Sequence, residues 1–162
     1  MLTRFNAVLA KFGMMAAVGG LYAIVVAVAF QVFGRYVMND TPTWAESLTL
    51  VMILYVALFG AAVGVRDAGH IGMESLLVLV PDRVRTRLEF IIHGLVGLFG
   101  ALMAYNGALL AMSVMGYKIP TLGLPEGINH VPVAIAGALI LLFSIEHIVA
   151  LLHGTEVEPA WH

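Results

Sequence analysis

Long runs without a charged side chain limit most strongly how this chain can fold. Three runs contain no Asp, Glu, Lys or Arg, namely Phe12–Gly34, Ser47–Val65 and Phe90–Tyr117, and a fourth, Val131–Leu152, is interrupted by Glu146. About 20 apolar residues cross the ~30 Å hydrocarbon core of a bilayer as a helix. Over such runs only helices satisfy their own backbone hydrogen bonds in lipid. The sequence therefore predicts an all-α integral membrane protein with four transmembrane helices.

The composition agrees with this class. Of the 162 residues, 61% are hydrophobic and 11% are charged, whereas soluble domains average about 25% charged residues. The chain has no cysteine, which excludes a disulfide framework, a thiolate metal site and a cysteine nucleophile. The net charge of −2 and the absence of a long basic run give no indication of a nucleic-acid partner. We expect residues 1–162 to form one four-helix membrane domain.

The spans are predicted at about 12–34, 46–65, 88–115 and 131–152. A mostly apolar segment at about 70–80 is too short to cross and is expected to lie along the membrane interface. Loop charge predicts the orientation, because cytoplasmic loops carry an excess of Lys and Arg. Six cations lie on one side, and Arg35 and Lys118 lie on the other. Both termini are therefore expected to be cytoplasmic. The six are Arg4, Lys11, Arg66, Arg83, Arg85 and Arg87.

The membrane interfaces hold several candidate anchors. Trp44, after the Asn39–Pro42 turn, is expected at headgroup level. Arg35 and Glu46 flank this turn and are a candidate ion pair. It is equally plausible that they act separately, with Arg35 extending its charged group toward water and Glu46 capping the next helix. At the foot of the third helix, three arginines are expected to meet anionic lipid headgroups, with a protein partner as the alternative. They are Arg83, Arg85 and Arg87.

Small residues at helical spacing mark two candidate packing surfaces. The second span carries Ala57, Gly60 and Gly64, and the third carries Gly97 and Ala101. Such residues let another helix backbone approach closely. For the second span, packing within the chain is the favoured interpretation, and docking onto a second protein is the alternative.

Two histidines and one acid are the candidates for chemistry. His93 and His147 lie at comparable depths in the third and fourth spans, as haem ligation by two histidines requires; two ordinary interface histidines are the favoured interpretation. Glu146 lies inside a span, which suggests a proton path, but pairing with a histidine or reaching the cytoplasmic surface is favoured. Phosphate-binding glycine loops, zinc-ligand spacings and nucleophile elbows are missing from the sequence. We therefore predict no enzyme activity, no metal site and no cofactor.

The order of several short motifs resembles that of a known family. The stretch from Phe33 to Glu74, and the second outer turn, are similar to the small membrane subunit (DctQ-like) of tripartite ATP-independent periplasmic (TRAP) transporters. Ser47 and Glu74 depart from the family's usual acid and aspartate at those positions. The matching residues are Arg35-Tyr36, Asn39, Trp44-Ala45-Glu46, Gly60, Gly64, Arg66, Gly69, His70-Ile71, Leu76 to Pro81, Pro120 to Pro125 and Pro132.

The resemblance implies a non-catalytic scaffold subunit in the inner membrane of a bacterium. In this family a large membrane subunit binds the substrate, typically an organic acid, together with the driving sodium ions. A periplasmic binding protein delivers that substrate. Two other functions stay open from the residues themselves. The first is a haem-binding membrane anchor of a redox complex, and the second is a self-sufficient small proton-coupled transporter.

Overall fold

The structure, a computed structural model, describes residues 2–40, 42–67, 81–155 and 157 of the chain. Each of the four long helices within these ranges is long and apolar enough to cross a membrane. The predicted all-α membrane fold is confirmed. The segment at about 70–80, predicted to lie along the interface, falls outside the described residues. The helices are α1 (Leu2–Phe33), α2 (Thr43–Asp67), α3 (Asp82–Ser113) and α4 (Val131–His153).

The first helix extends well beyond its predicted span. α1 starts at Leu2 rather than near residue 12, and its first turns carry the exposed Arg4 and Lys11. Its 32 residues rise about 48 Å at 1.5 Å per residue, which exceeds the ~30 Å hydrocarbon core. The helix must therefore tilt or protrude from the bilayer. We call the end of the molecule where α1 begins and α4 finishes the terminal end, and the opposite end the turn end.

At the turn end, α1 closes in a π-helical turn, Gly34–Met38. Asn39 follows in the left-handed conformation, with φ of 54°, which Asn tolerates better than most residues. The backbone N–H groups of Asn39 and Asp40 both donate to the carbonyl of Gly34. These bonds satisfy the helix end and reverse the chain, so that α1 and α2 form an antiparallel hairpin.

The third and fourth helices form a second hairpin with touching backbones. A Cβ atom added at Gly100 would lie 2.8 Å from the backbone nitrogen of Leu141, and one added at Gly137 would meet the backbone of Ala104. Glycine at both positions therefore allows an approach that no other residue permits. At the start of α4, Pro132 occupies the first turn, and Gly154 ends the helix with φ of 65°.

The two hairpins lie side by side. α1 packs along α2, α2 packs along α4, and α4 packs along α3, while α1 makes only a small contact with α4. The four helices therefore stand in the order α1–α2–α4–α3, in a row that is one helix deep. We call the α2–α4 interface, where the two hairpins meet, the seam.

Small and apolar side chains fill the seam. Ala62 of α2 packs with Ala136 and Ile140 of α4, and the two alanines have no exposed surface. Nearer the terminal end, Val63 packs against Phe143, with Ala10 of α1 completing the cluster. These contacts bring the ends of three helices together at one place.

Candidate functional site

A cluster of buried polar side chains occupies the terminal end of the seam. Arg66, in the last turn of α2, is 1% exposed, and Glu146 of α4 is 2% exposed. α2 ends one residue after Arg66, whereas α4 continues for about two turns after Glu146. The arginine side chain therefore contacts the side of α4 and not its end. The other buried members are Asn6, Asp67, His93 and His147.

Arg66 and Glu146 form a two-pronged ion pair. The Nε of Arg66 donates to Oε2 of Glu146 at 3.1 Å, and its Nη2 donates to Oε1 at 3.1 Å. This side-on fork is the strong, directional form of an arginine–carboxylate contact. The third nitrogen, Nη1, donates to Oδ1 of Asp67 at 2.8 Å. One guanidinium thus joins two buried carboxylates.

Asn6 brings the first helix into the cluster. Its Nδ2 donates to Oε2 of Glu146 at 2.9 Å and makes a longer contact, 3.4 Å, with the carbonyl of Leu142. Both partners are acceptors, so the amide orientation follows from chemistry. Its Oδ1 is buried and has no hydrogen-bond partner among the described residues.

Two histidines connect the cluster to the third helix. The Nε2 of His147 lies 3.0 Å from the backbone carbonyl of Arg66, and a carbonyl only accepts, so Nε2 carries the proton and donates it. The rings of His93 and His147 are stacked, with centroids 4.4 Å apart and planes inclined by 4°. Side chains from all four helices therefore converge here.

This geometry does not fit haem ligation. Two axial histidines must each point a ring nitrogen at one iron from opposite faces of the macrocycle. Here the rings lie face to face, and one nitrogen of His147 is engaged by the backbone of Arg66. Groups of three or more His, Cys, Asp or Glu side chains that could hold a metal ion are absent from the described residues.

The favoured expectation for Glu146 was wrong. Instead of reaching the surface or pairing with a histidine, the carboxylate is buried and bound to Arg66 and Asn6. Burying an ion pair costs desolvation free energy that its attraction only partly offsets, but removing one partner leaves an uncompensated charge. The arrangement can therefore hold the helices in place.

Most of the chain matches one protein family. Residues 24–154 match the family described as "Tripartite ATP-independent periplasmic transporters, DctQ component". The chain belongs to this family. This match confirms the resemblance found in the sequence motifs. The chain is a multi-pass membrane protein of a transporter family.

Individual relatives agree with this assignment. The sialic acid TRAP transporter small permease protein SiaQ of Vibrio cholerae serotype O1 is 22% identical over 139 residues, which cover 80% of this chain and 75% of that protein. The C4-dicarboxylate TRAP transporter small permease protein DctQ of Rhodobacter capsulatus is 32% identical over 98 residues, covering 59% and 43%. The sialic acid TRAP transporter permease protein SiaT of Haemophilus influenzae is 31% identical over 55 residues, covering 34% and 9%.

The candidate ion pair at the turn end is not formed among the described residues. In this DctQ component, Arg35 lies in the π-helical turn and Glu46 in the first turn of α2; both are exposed, and the ion pairs of the described residues do not join them. Trp44 is 49% exposed and lies beside Phe30, with ring centroids 6.3 Å apart.

The arginines at the foot of α3 behave differently from one another. Arg85 donates to Oε1 of Glu89 at 2.9 Å, one helical turn away, and Arg87 is exposed. The side chain of Arg83 falls outside what the structure describes. Contact of these residues with lipid headgroups stays a prediction.

The two small-residue surfaces have different environments. Gly97 is buried, and a Cβ atom there would lie 3.2 Å from the Cβ of Ser144 on α4; Ala101 is half-buried one turn further on. A Cβ atom at Gly60 or Gly64 would meet nothing within 4 Å in the described part of the chain. Ala57 is exposed on the same helix. Packing within the chain, the favoured interpretation for α2, is therefore not what the structure has, and this surface stays a candidate partner interface.

The sequence-based prediction missed the cluster itself. The charge pattern places Arg66 among the loop cations, the family resemblance gives it no contact, and neither singles out Asn6. A usable signal existed, since an acid inside a span requires a partner. The predicted topology places the end of the second span and the last third of the fourth at the same membrane surface, which leaves Arg66 as a candidate for Glu146.

Proposed function

We propose that this chain is the non-catalytic scaffold subunit of a sodium-driven TRAP transporter that imports an organic acid. In this proposal a large membrane subunit binds and moves the substrate, and a periplasmic binding protein delivers it. The observation that supports the proposal most strongly is the buried ion pair of Glu146. Glu146 lies inside a span, where an acid could serve transport, yet Arg66 holds it in a buried fork. The residues that bind and move the solute are then expected in the partner.

Association with a large subunit is supported by one relative in particular. The permease SiaT of Haemophilus influenzae contains a stretch similar to this chain that makes up 9% of its length. A single polypeptide that carries such a stretch alongside much additional sequence supports an association of the two kinds of subunit. The names of the relatives, which refer to sialic acid and C4-dicarboxylate, support an organic acid as the transported solute.

The open surface of α2 is the proposed contact with the large subunit. Ala57, Gly60 and Gly64 leave it free of bulky side chains, and nothing in the described chain covers the two glycines. In a membrane, small residues promote helix association by allowing close van der Waals packing. A helix of the partner could approach here as closely as α3 approaches α4.

The turn end is proposed to face the periplasm. The exposed cations Arg4, Lys11 and Arg87 lie at the terminal end, as the positive-inside rule expects of a cytoplasmic surface in the bacterial inner membrane. Arg35 and Glu46 would then be presented on the outer surface, where the binding protein docks. Their exposure leaves both side chains available to that partner.

Reconstitution tests the proposal. The purified chain alone in liposomes is expected to take up no solute, whereas liposomes that also contain the large subunit should import a carboxylate when binding protein and a sodium gradient are supplied. Replacing sodium by potassium and omitting the binding protein are the two controls. Solute uptake by the chain alone would contradict the proposal, as would purification from native membranes without any large hydrophobic partner.

A further inference from the structure

The two hairpins of this chain meet along a seam that has little to fix its geometry in the middle. Ala62 and Ala136 face each other there, with Ile140 beside them. Lipid tails are as apolar as these side chains, so the hydrophobic effect favours no particular arrangement of helices in a bilayer. Van der Waals packing holds the seam closed at this point, and directional contacts elsewhere add bonds of fixed orientation between the hairpins.

Two such contacts cross the seam at the turn end among the described residues, and both are neutral. The hydroxyl of Tyr55 donates to the backbone carbonyl of Ile128 at 3.0 Å. The hydroxyl of Thr121 donates to that of Ser47 at 2.6 Å, in an exposed position. Each is a single bond about which the partners can rotate, so this end restrains separation more than it restrains angle.

The terminal end is held differently. The fork between Arg66 and Glu146 uses two parallel bonds between planar groups, which fixes rotation as well as distance. The carbonyl of Arg66 also accepts from His147, so side chain and backbone of one residue bind two consecutive residues of α4. Because the fork is buried, water cannot replace either bond at low cost.

We propose that the Arg66–Glu146 ion pair sets the angle between the two hairpins and thereby shapes the surface that this chain offers to its partner subunit. Arg66 and Glu146 are positioning residues in this proposal, since neither would touch the transported solute. The first half concerns the chain by itself. The second half rests on the proposed function as a scaffold subunit.

Distance measurement between the hairpins tests the first half. The chain has no cysteine, so Phe12→Cys on α1 and Leu95→Cys on α3, both at highly exposed positions, can carry a pair of spin labels on the full-length protein in nanodiscs. Pulsed electron paramagnetic resonance should give one narrow distance distribution with the fork intact. Glu146→Gln and Arg66→Met should shift or broaden it.

A matched control and a milder variant keep the result interpretable. Thr121→Ala removes a neutral seam contact at the turn end and should leave the distribution unchanged. If Arg66→Met fails to fold, as judged by circular dichroism and gel filtration, Arg66→Lys keeps the charge but cannot form the fork, and it should broaden the distribution as well. Unchanged distances in Glu146→Gln and in the folded Arg66 variant would overturn the proposal.

Transport by the reconstituted complex tests the second half. Fork variants that still co-purify with the large subunit should show a several-fold lower maximal uptake rate with little change in the substrate concentration for half-maximal uptake. A changed inter-hairpin distance with an unchanged uptake rate would reject the link to the partner. If the wild-type complex transports nothing, the proposed function fails, while the distance result remains valid for the chain alone.

Discussion

The imidazole rings of His93 and His147 lie parallel, with 4.4 Å between their centroids. The contact joins α3 to α4 at the depth where Arg66 joins α2 to α4 through the carbonyl that accepts from His147. Parallel rings at this separation leave no room for an iron and its macrocycle between them. The pair therefore belongs to the same helix junction as the buried ion pair.

This stacking leads to a prediction about pigment binding. Haemin added to the purified protein should produce no Soret band that depends on His93. The comparison is the His93→Gln variant, whose spectrum should match that of the wild type. A band present in the wild type and lost in the variant would show that the rings separate to bind haem.

Loss of Arg66 should destabilise the chain more than loss of the charge on Glu146. Arg66→Met leaves Glu146 and Asp67 without the guanidinium that both contact, whereas Glu146→Gln leaves Arg66 beside Asp67. We expect Arg66→Met to lower the unfolding free energy by about 3–5 kcal/mol, the usual cost of breaking a buried pair.

Titration of the detergent-solubilised protein with sodium dodecyl sulfate measures these differences. Arg87→Met is the matched control, because Arg87 is exposed on α3 and its replacement should change the unfolding free energy by no more than about 0.5 kcal/mol. The reverse order, with Glu146→Gln the more damaging change, would contradict the arrangement of charges described above.

Gly100→Leu should weaken the second hairpin. The new side chain would collide with the backbone of α4 near Leu141 and force the two helices apart, at a cost of about 1–3 kcal/mol. Gly94→Leu is the control on the same helix, because a Cβ atom there meets no described residue within 4 Å. Removing a helical glycine should leave the control as stable as the wild type or more so. Equal losses in the two variants would argue against backbone contact between α3 and α4.

Leucine at Gly60 and Gly64 together should leave the isolated subunit folded but weaken its assembly. The proposed partner helix could no longer approach, and we expect a loss of about 1–2 kcal/mol in association. Co-purification with the large subunit measures it, and Gly19→Leu on an equally open part of α1 is the comparison. Undiminished co-purification would show that this surface of α2 faces lipid.

Replacing Arg35 or Glu46 by alanine should have little effect on the fold. Both side chains are exposed, and Glu46 in the first turn of α2 contributes about 1 kcal/mol or less even if it caps the helix. Their effect should instead appear as slower uptake at limiting binding protein, measured in the reconstituted complex. A large drop in the unfolding free energy would mean that the two residues pair within the chain after all.

The membrane spans could be predicted from the sequence because charge-free runs determine where a chain can cross. The turn after α1 was also predictable, since Asn39 favours the left-handed conformation that it adopts. The lateral order of the helices was not, because hydropathy is nearly the same on all sides of a membrane helix. For the same reason, small residues gave no indication of which surface packs inside, and Gly97 and Gly60 looked alike until their neighbours were known.

Because the four helices stand in a row one helix deep, lipid can contact a large part of the subunit's surface. A protein that covers one side of the row leaves the other side against lipid tails along its whole width, roughly 30–40 Å at 8–10 Å per helix. Any change in hydrocarbon thickness then acts on all four helices at once, through the mismatch cost that accompanies it. In the proposed assembly, acyl-chain length would therefore affect the partner subunit through its contact with this one.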